Sequence, residues 1–339
     1  MTVAGERRDG GLSPRWRAWI AENLARGVSE QRLAEVLGSR GLAEDRASSY
    51  VEEVAREPAT AVARQLADRL EKLQAQLDVY ESLHALVEPA GQLRRERAPA
   101  PEDFLERFYS ANRPVVIEGL MDGWAAVRKW TPEYLRTTYG DREVLAETDR
   151  STEPPWRVFL KGQAKPWRFG DYVDAVVAAG STNKLYMTAS DRLFWQPGMT
   201  SLLDDIEVFP GYLDPDGLER RISFWFGPKG TISPLHRDDV NVLFAQVRGR
   251  KRVRLVSSAQ LHRVYNERSF YSQVDLDSPD PERFPLFDGV RVLETEVGPG
   301  DVLFIPVGWW HHVTALDVSI SVAMTNFVWP NPRVERTNE

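Results

Sequence analysis

The first sixty residues carry their apolar side chains at helical rather than strand spacing. Ser13 followed by Pro14 is typical of a helix start, because serine caps free backbone N–H groups and proline suits the first turn. Apolar positions then recur three or four residues apart, which is the spacing of one helix face. Gly27 and Gly41 interrupt this pattern, and it resumes after each of them. The sequence therefore predicts a small helical unit over residues 1–58.

A heptad pattern occupies residues 59–88. Its positions alternate in steps of four and three along the chain: Ala59, Ala63, Leu66, Leu70, Leu73, Leu77, Tyr80, His84 and Val87. A pattern of this length is typical of a coiled coil, so we expect a long helix that joins two copies of the chain into a homodimer. The alternative is a helix that packs against the rest of its own chain.

Beyond residue 101 the spacing of apolar residues changes to that of strands. Residues 89–101 are rich in proline and arginine and predict a linker. Short apolar runs between Gly/Pro turns follow over residues 102–332, which is typical of an antiparallel barrel rather than a parallel sheet. Residues 333–339 are a polar tail. The predicted strands include residues 114–119, 143–148, 156–161, 185–188 and 222–226, with one helix at 170–179.

Composition limits the classes of function. With 339 residues, 42% of them hydrophobic, the chain is long enough for one large domain and a small one. A net charge of -7 argues against nucleic acid as the main partner. The chain has no cysteine, which excludes disulfides and thiolate metal sites. Its sequence shows no signal-peptide core and no apolar run long enough to cross a membrane, so we expect a cytoplasmic protein.

Two separate motifs suggest a metal site. His236 and Asp238 stand two apart in a predicted strand, so their side chains point to the same face. His311 and His312 follow another apolar run far along the chain, and as neighbours on a strand they face opposite ways, so only one can join the first pair. Two imidazoles and one carboxylate leave one face of a metal open, as in non-haem Fe(II) oxygenases. The same donors with one water also suit a hydrolytic zinc site.

The segments around these residues resemble one family. Residues 233–255 read SPLHRDDVNVLFAQVRGRKRVRL and residues 298–313 read GPGDVLFIPVGWWHHV, within the G-x5-H-x-D and G-x5-P-x-G-x2-H frames of cupin motifs. Both are similar to the JmjC branch of cupin-like Fe(II)- and 2-oxoglutarate-dependent oxygenases, including the asparaginyl hydroxylase that inhibits hypoxia-inducible factor and its bacterial relatives. The resemblance extends over roughly residues 100–330. It implies a mainly β fold, a double-stranded β-helix or jelly-roll barrel, after the N-terminal all-α region.

The resemblance also implies roles for individual side chains. Of the two neighbouring histidines it selects His311, which with His236 and Asp238 would bind Fe(II). It places Lys251 where relatives hold the far carboxylate of 2-oxoglutarate, and Lys251 shares a strand face with apolar neighbours. The alternative for Lys251 is a solvated position in the basic run 248–254. Further side chains expected at the co-substrate are Tyr186, Ser233, Asn326 and, as an additional hydroxyl, Thr188.

One position departs from the family pattern. Relatives carry a second asparagine six residues after the first metal-binding histidine, where this chain has Val242 and places Asn241 one residue earlier. A bulge of one residue would bring Asn241 to the co-substrate site. Without a bulge, the side chain of Asn241 would face outward.

The implied reaction uses Fe(II), O2 and 2-oxoglutarate to hydroxylate an amino-acid side chain in a protein or peptide substrate, with release of succinate and CO2. Removal of an N-methyl group, and hydroxylation of a tRNA base or of a small molecule, are alternatives within the same family. A different class of function is a non-catalytic cupin-like scaffold that binds a metal, because a fold alone does not establish an activity.

Overall fold

The computed structural model describes residues 12–87, 91–150, 164–188, 192–219, 221–266 and 270–333. The chain divides into two compact units, of which the first ends at Tyr80 and the second begins at Glu81. This division falls inside a long helix, whereas the sequence suggested limits at residues 58, 88 and 101. Those domain limits remain predictions.

The N-terminal region contains four helices: α1 (Pro14–Ala25), α2 (Glu30–Ser39), α3 (Glu44–Arg56) and α4 (Pro58–Val87). The first three belong to the first unit, and the division between the units lies within α4. The Ser13 hydroxyl accepts the N–H of Trp16 at the start of α1, as the Ser-Pro pair predicts. The apolar faces of α1, α2 and α3 meet in a cluster that includes Ile20, Leu37 and Val51. The predicted helical N-terminal region is therefore confirmed.

The helix α4 covers almost the whole heptad pattern, but most of that pattern is exposed. Leu66, Leu70 and Leu73 are 58%, 55% and 63% exposed, and the buried residue of α4 is Thr60. Self-association through this helix remains a prediction. None of the described helices is both long and apolar enough to cross a membrane.

Short strands dominate the second unit: β1 (Arg95–Arg97), β2 (Val115–Glu118), β3 (Glu143–Glu147), β4 (Ala164–Arg168), β5 (Ile222–Gly227), β6 (Ile232–Arg237), β7 (Val242–Arg248), β8 (Lys251–Val256), β9 (Val292–Val297), β10 (Val302–Ile305), β11 (Trp310–Ala315) and β12 (Ser319–Met324). One sheet has the order β1-β2-β10-β7-β12-β5, and the other has the order β6-β11-β8-β9. All pairings in them are antiparallel except β1 with β2. The predicted double-stranded β-helix is confirmed.

The two faces of the larger sheet pack in different apolar clusters. Alternate residues of β7, such as Phe244, join Val253, Leu255 and Val313 of the smaller sheet in an apolar cluster between the sheets. The intervening residues, such as Leu243, pack in the largest cluster of the second unit. That cluster includes side chains of the helices α5 (Pro101–Phe104), α6 (Ala125–Lys129), α7 (Pro132–Tyr139) and α8 (Phe169–Ala178). The candidate site described below lies between the two sheets.

Some local predictions were wrong. The segment interpreted as a linker contains β1, which pairs with β2 and so extends the larger sheet. Residues 185–188 make only two isolated bridges, through Tyr186 and Met187, rather than a strand. The strand predicted at 156–161 lies outside the described residues. The strand that pairs with β3 is β4.

Candidate metal and co-substrate site

Three side chains meet where β6 ends and β11 begins. His236 and His311 are direct Cα partners on these antiparallel strands, and their ring centroids lie 4.1 Å apart. Asp238 follows the end of β6, and its Oδ2 lies 3.6 Å from His311 Nε2. One donor atom from each of the three lies within 4.8 Å of the others. Because metal bonds to such donors are about 2.1 Å long, one ion can bind all three after small side-chain movements.

Backbone carbonyl groups determine which nitrogen of each imidazole carries the proton. His236 Nδ1 lies 2.7 Å from the carbonyl oxygen of Pro234, and His311 Nδ1 lies 3.2 Å from that of Trp309. We assign the proton to Nδ1 in both rings, which leaves the Nε2 lone pairs for a metal. Burial, and secondarily the charge of His236, lower the pKa of His311 well below its ordinary value. The ring is therefore held in the neutral form that a metal needs.

A β-bulge sets the direction of Ser233 relative to His236. Ser233 pairs with Val313 and His236 pairs with His311, so three steps along β6 match two steps along β11. Val313 and His311 are two apart and share a face, and the extra residue on β6 brings Ser233 and His236 to that same face. Both side chains therefore point between the sheets.

Lys251, Tyr186 and Ser233 form a buried polar cluster between the sheets. Lys251 Nζ donates to Tyr186 Oη at 3.3 Å, and the side chains of Ser233 and Tyr186 are also hydrogen-bonded. Lys251 is 1% exposed and lies 5.0 Å from the ring centroid of Phe244. The solvated alternative for Lys251 is therefore wrong.

The charge of Lys251 indicates which kind of ligand fits this cluster. Within the part of the chain that the structure describes, no carboxylate forms an ion pair with its ammonium. Burial consequently lowers the pKa of Lys251 to about 7. An isolated buried cation is unfavourable unless an anion joins it. The cluster therefore fits a ligand that brings its own carboxylate, as 2-oxoglutarate does.

An ion pair that sequence reasoning missed lies next to this cluster. Arg150 Nε contacts Glu147 Oε2 at 2.9 Å, and both side chains are buried. The guanidinium lies 4.9 Å from the ring centroid of Tyr186, and the Thr188 hydroxyl donates to Glu147 Oε1 at 3.3 Å. Arg150 also donates to the carbonyl oxygen of Ile232, at the start of β6. The pair thus supports Tyr186, Thr188 and the strand that carries Ser233.

Trp225 is a second side chain that the sequence did not single out. Its ring lies 5.6 Å from that of Tyr186. The indole Nε1 is buried and has no hydrogen-bond acceptor among the described residues. A buried N–H without a partner is costly, so this donor is available to a bound ligand. The alternation of β5, which buries Phe224 and Phe226 on the other face, was the available sequence signal.

The two asparagines are occupied by backbone contacts. Asn241 Oδ1 accepts the N–H of Val307 at 2.8 Å. Asn326 Nδ2 donates to the carbonyl oxygen of Asp214 at 2.7 Å, and its Oδ1 is buried without a partner in the described chain. These contacts give both residues a structural role. Their contact with a co-substrate remains a prediction.

His312 takes part in a second group of potential metal donors, with Asp275 and Asp277. Arg254 donates to His312 Nδ1 at 3.1 Å, so the proton of the neutral ring must sit on Nε2, the nitrogen nearest to Asp277. A metal would need that Nε2 lone pair. Arg252 and Arg254 also pair with Asp277 and balance its charge. This group is therefore a structural network, and His312 faces away from His311.

Comparison with known proteins agrees with this geometry. The model of the cupin-like domain family matches residues 101–332. The chain is 36% identical over 233 residues to lysine-specific demethylase 8 of Xenopus tropicalis, which covers 66% of this chain and 50% of the relative. It is 33% identical to lysine-specific demethylase JMJ30 of Arabidopsis thaliana, over 68% of this chain and 53% of that one. The tRNA wybutosine-synthesizing protein 5 of Mus musculus is 28% identical, over 69% and 76%.

The chain thus spans about half the length of the two demethylases. Family members of this type use Fe(II), 2-oxoglutarate and O2. The matched region contains both strands of the three-donor group and the strand of the buried lysine. The chain belongs to the cupin-like, JmjC-type family of Fe(II)- and 2-oxoglutarate-dependent oxygenases.

Proposed function

We propose that this protein is a 2-oxoglutarate-dependent hydroxylase of an amino-acid side chain in a protein or peptide, with Fe(II) held by His236, Asp238 and His311. The observation that carries the proposal is the three-donor group together with a buried ammonium, that of Lys251, which has no counterion among the described residues. A hydrolytic zinc site would need the three donors but not the cation. A dicarboxylate co-substrate accounts for both.

We assign separate roles in co-substrate binding to the side chains of the site. Lys251, Tyr186 and Ser233 would hold the far carboxylate of 2-oxoglutarate by a charge-assisted hydrogen bond and two hydroxyl contacts. Thr188 would support this end through Glu147 or contact the co-substrate directly. Asn241 and Asn326 are proposed to act nearby, from their backbone-anchored positions. When bound there, Fe(II) with O2 and 2-oxoglutarate would supply the oxidising chemistry for converting C–H to C–OH, with succinate and CO2 as the co-products.

The substrate class rests on family membership and charge. Among its relatives are proteins named for lysine demethylation and for tRNA wybutosine synthesis. The net charge of -7 supports a protein or peptide rather than tRNA, because phosphate contacts dominate nucleic-acid affinity. N-methyl demethylation begins with the same oxidation of a C–H bond, and it is the second candidate.

Mass spectrometry distinguishes these possibilities. The protein is incubated with Fe(II), ascorbate, 2-oxoglutarate and either a peptide library or a host lysate, with the Asp238→Ala variant as control. Gain of one oxygen atom on a peptide, absent with the variant, supports hydroxylation. Loss of a methyl group with release of formaldehyde would show a demethylase, and an added oxygen on tRNA nucleosides would show a tRNA enzyme. No modified product and no succinate would favour the non-catalytic scaffold.

A further inference from the structure

The turn that leads into β11 is held by groups from other parts of the chain. Residues 306–309 connect β10 to β11, and the N–H of Trp309 donates to the carbonyl oxygen of Pro306 at 3.1 Å. Gly308 has a φ of 81°, as the third position of a type II turn requires. The pairing of β11 with its neighbours begins at Trp310, so the direction of the Trp309 carbonyl group depends on this turn.

The carbonyl group of Trp309 orients one of the three metal donors. Its oxygen lies 3.2 Å from His311 Nδ1 and so holds the proton on that nitrogen, which leaves Nε2 free for an ion. Because hydrogen bonds weaken steeply with poor alignment, rotation of this carbonyl group would let the proton move to Nε2. A side chain that fixes the turn therefore acts on His311 through Trp309.

Asn112 is a side chain of this kind. It lies in the loop between the short π-helix Leu105–Tyr109 and β2. Its Nδ2 donates to the carbonyl oxygen of Val307 at 3.1 Å. The indole N–H of Trp309 donates to Asn112 Oδ1 at 2.8 Å and to its backbone oxygen at 3.0 Å, and the Ser258 hydroxyl donates to Oδ1 at 3.2 Å. One residue thus holds both the backbone and the indole ring of the turn.

These contacts determine how the Asn112 amide is oriented. Exchange of its oxygen and nitrogen would place an NH2 group against the indole N–H of Trp309 and an oxygen against the carbonyl oxygen of Val307. The backbone of Asn112 is equally specific. Its φ of 50° lies in the left-handed region, which asparagine adopts more readily than most residues.

Two contacts from the segment after β6 hold the same turn. The N–H of Val307 donates to Asn241 Oδ1 at 2.8 Å, and the N–H of Gly308 donates to the carbonyl oxygen of Asp238 at 3.4 Å. The turn therefore contacts the backbone of one metal donor and, through Trp309, the ring of another.

We propose that Asn112 is a positioning residue for His311. It holds the turn so that the Trp309 carbonyl group keeps the proton of His311 on Nδ1, with the Nε2 lone pair available to a metal. Loss of a direct hydrogen-bond partner of a metal-binding histidine typically lowers metal affinity by about 10- to 100-fold. Because Asn112 acts through Trp309, we expect the lower end of this range. The inference rests on the proposed function for the use of the ring, but the state of the ring can be measured without a metal.

NMR of the imidazole nitrogens reads the tautomer of His311 in the metal-free protein, with the signal assigned by its loss in His311→Gln. In the wild type we expect the proton on Nδ1. Asn112→Gly keeps a left-handed backbone available but removes the amide, so the Nε2 signal should shift towards that of a protonated nitrogen. Asn112→Asp should cause the same shift, because it places an oxygen against the carbonyl oxygen of Val307.

The matched control is Ser258→Ala. It removes one donor to Asn112 Oδ1 and leaves the contacts with Val307 and Trp309, so His311 should keep its wild-type signal. Circular dichroism checks that each variant is folded, and Asn112→Asp decides the matter if Asn112→Gly does not fold. An unchanged His311 signal in the folded Asn112 variant, or an equal shift in Ser258→Ala, would overturn the proposal.

Titration with Co(II) distinguishes this inference from the proposed function. We expect Asn112→Gly to bind the ion about tenfold more weakly than the wild type, and Ser258→Ala to bind it equally well. Wild-type affinity in Asn112→Gly would also overturn the positioning role. A wild type that binds no divalent ion would contradict the proposed function instead, and the tautomer of His311 would still decide the role of Asn112.

Discussion

Ser233 and His236 project from the same face of β6 although they lie three residues apart, because a bulge adds one residue between them. In a regular strand they would face opposite sides of the sheet. The bulge therefore joins a hydroxyl of the co-substrate cluster to a donor of the metal group. It also explains why alternation alone could not place Ser233, which was assigned only by resemblance to the family.

The first prediction concerns the buried charge of Lys251. Replacing Lys251 with Met should weaken 2-oxoglutarate binding by about 10- to 100-fold, because a charge-assisted hydrogen bond is lost. The same variant should be more stable than the wild type without ligand, because it removes a buried ammonium that has no counterion in the described part of the chain. Calorimetry and urea unfolding measure the two effects. A variant that loses stability and retains co-substrate affinity would show that Lys251 has a structural role only.

The stability difference should itself depend on pH. Lys251 has a folded pKa of about 7 and an ordinary value of 10.5. Between these values the unfolded chain binds more protons, so the penalty for burying Lys251 decreases as pH rises. The advantage of Lys251→Met should therefore be greatest at and below about pH 7 and should shrink towards about pH 10. Urea unfolding over this range checks the slope, and a constant difference would contradict it.

Co-substrate binding should weaken as pH rises above about 7, because only the protonated Lys251 pairs with a carboxylate. At about pH 8 binding should take up a proton, since the incoming carboxylate raises the pKa of the ammonium. Calorimetry in two buffers of different ionisation heat measures this uptake. The matched control is Lys251→Met, which should show none. Equal proton uptake by both proteins would assign the titration to another group.

The pair Glu147 and Arg150 should behave as one unit. Glu147→Gln leaves the guanidinium buried without its counterion and should cost about 3–5 kcal/mol of unfolding free energy. The double variant Glu147→Gln/Arg150→Met should lose less than the two single changes together, by at least about 1 kcal/mol. Urea unfolding of all four proteins gives this coupling. Additive losses would show that the two side chains are not coupled.

Trp225 and Trp309 form a matched pair of tests. Trp225→Phe removes an N–H that has no protein acceptor among the described residues, so stability should change little while co-substrate or substrate affinity falls up to about tenfold. Trp309→Phe removes an N–H that donates to the backbone and side-chain oxygens of Asn112, at 3.0 and 2.8 Å, and should cost about 1–2 kcal/mol of stability. Thermal unfolding and ligand titration separate the two. Equal loss of stability would show that the Trp225 N–H has a structural partner.

The periodicity of apolar residues predicted many of the helices and strands. The elements that it missed depend on contacts between distant parts of the chain. The heptads predicted α4, and the alternation of β8 predicted that Lys251 shares a face with Val253 and Leu255. In contrast, β1 is a strand because β2 offers it an edge, not because its arginines favour one. The strand conformation of β1 therefore depends on its pairing with a distant segment, which the local sequence does not show.

The candidate site was predicted to a similar extent. The metal donors and the buried lysine were predicted from motifs that resemble the family. Periodicity within one strand cannot show which residues of different strands come together, whereas such motifs can. Glu147 and Arg150 lie three apart in a polar stretch that looks like a solvated turn, so nothing local showed that they are buried together. Asn241 was left open, and its contact with Val307 depends on how two turns approach each other.

The central claim is that His236, Asp238 and His311 hold an iron ion that drives 2-oxoglutarate turnover. Its most direct test is succinate formation by the purified protein with Fe(II), ascorbate and 2-oxoglutarate, compared with Asp238→Ala. We predict iron-dependent succinate from the wild type and a loss of at least about 100-fold in a folded variant, because one of three metal donors is missing. Equal turnover by the two proteins, or zinc bound tightly with no iron-dependent succinate, would contradict the account.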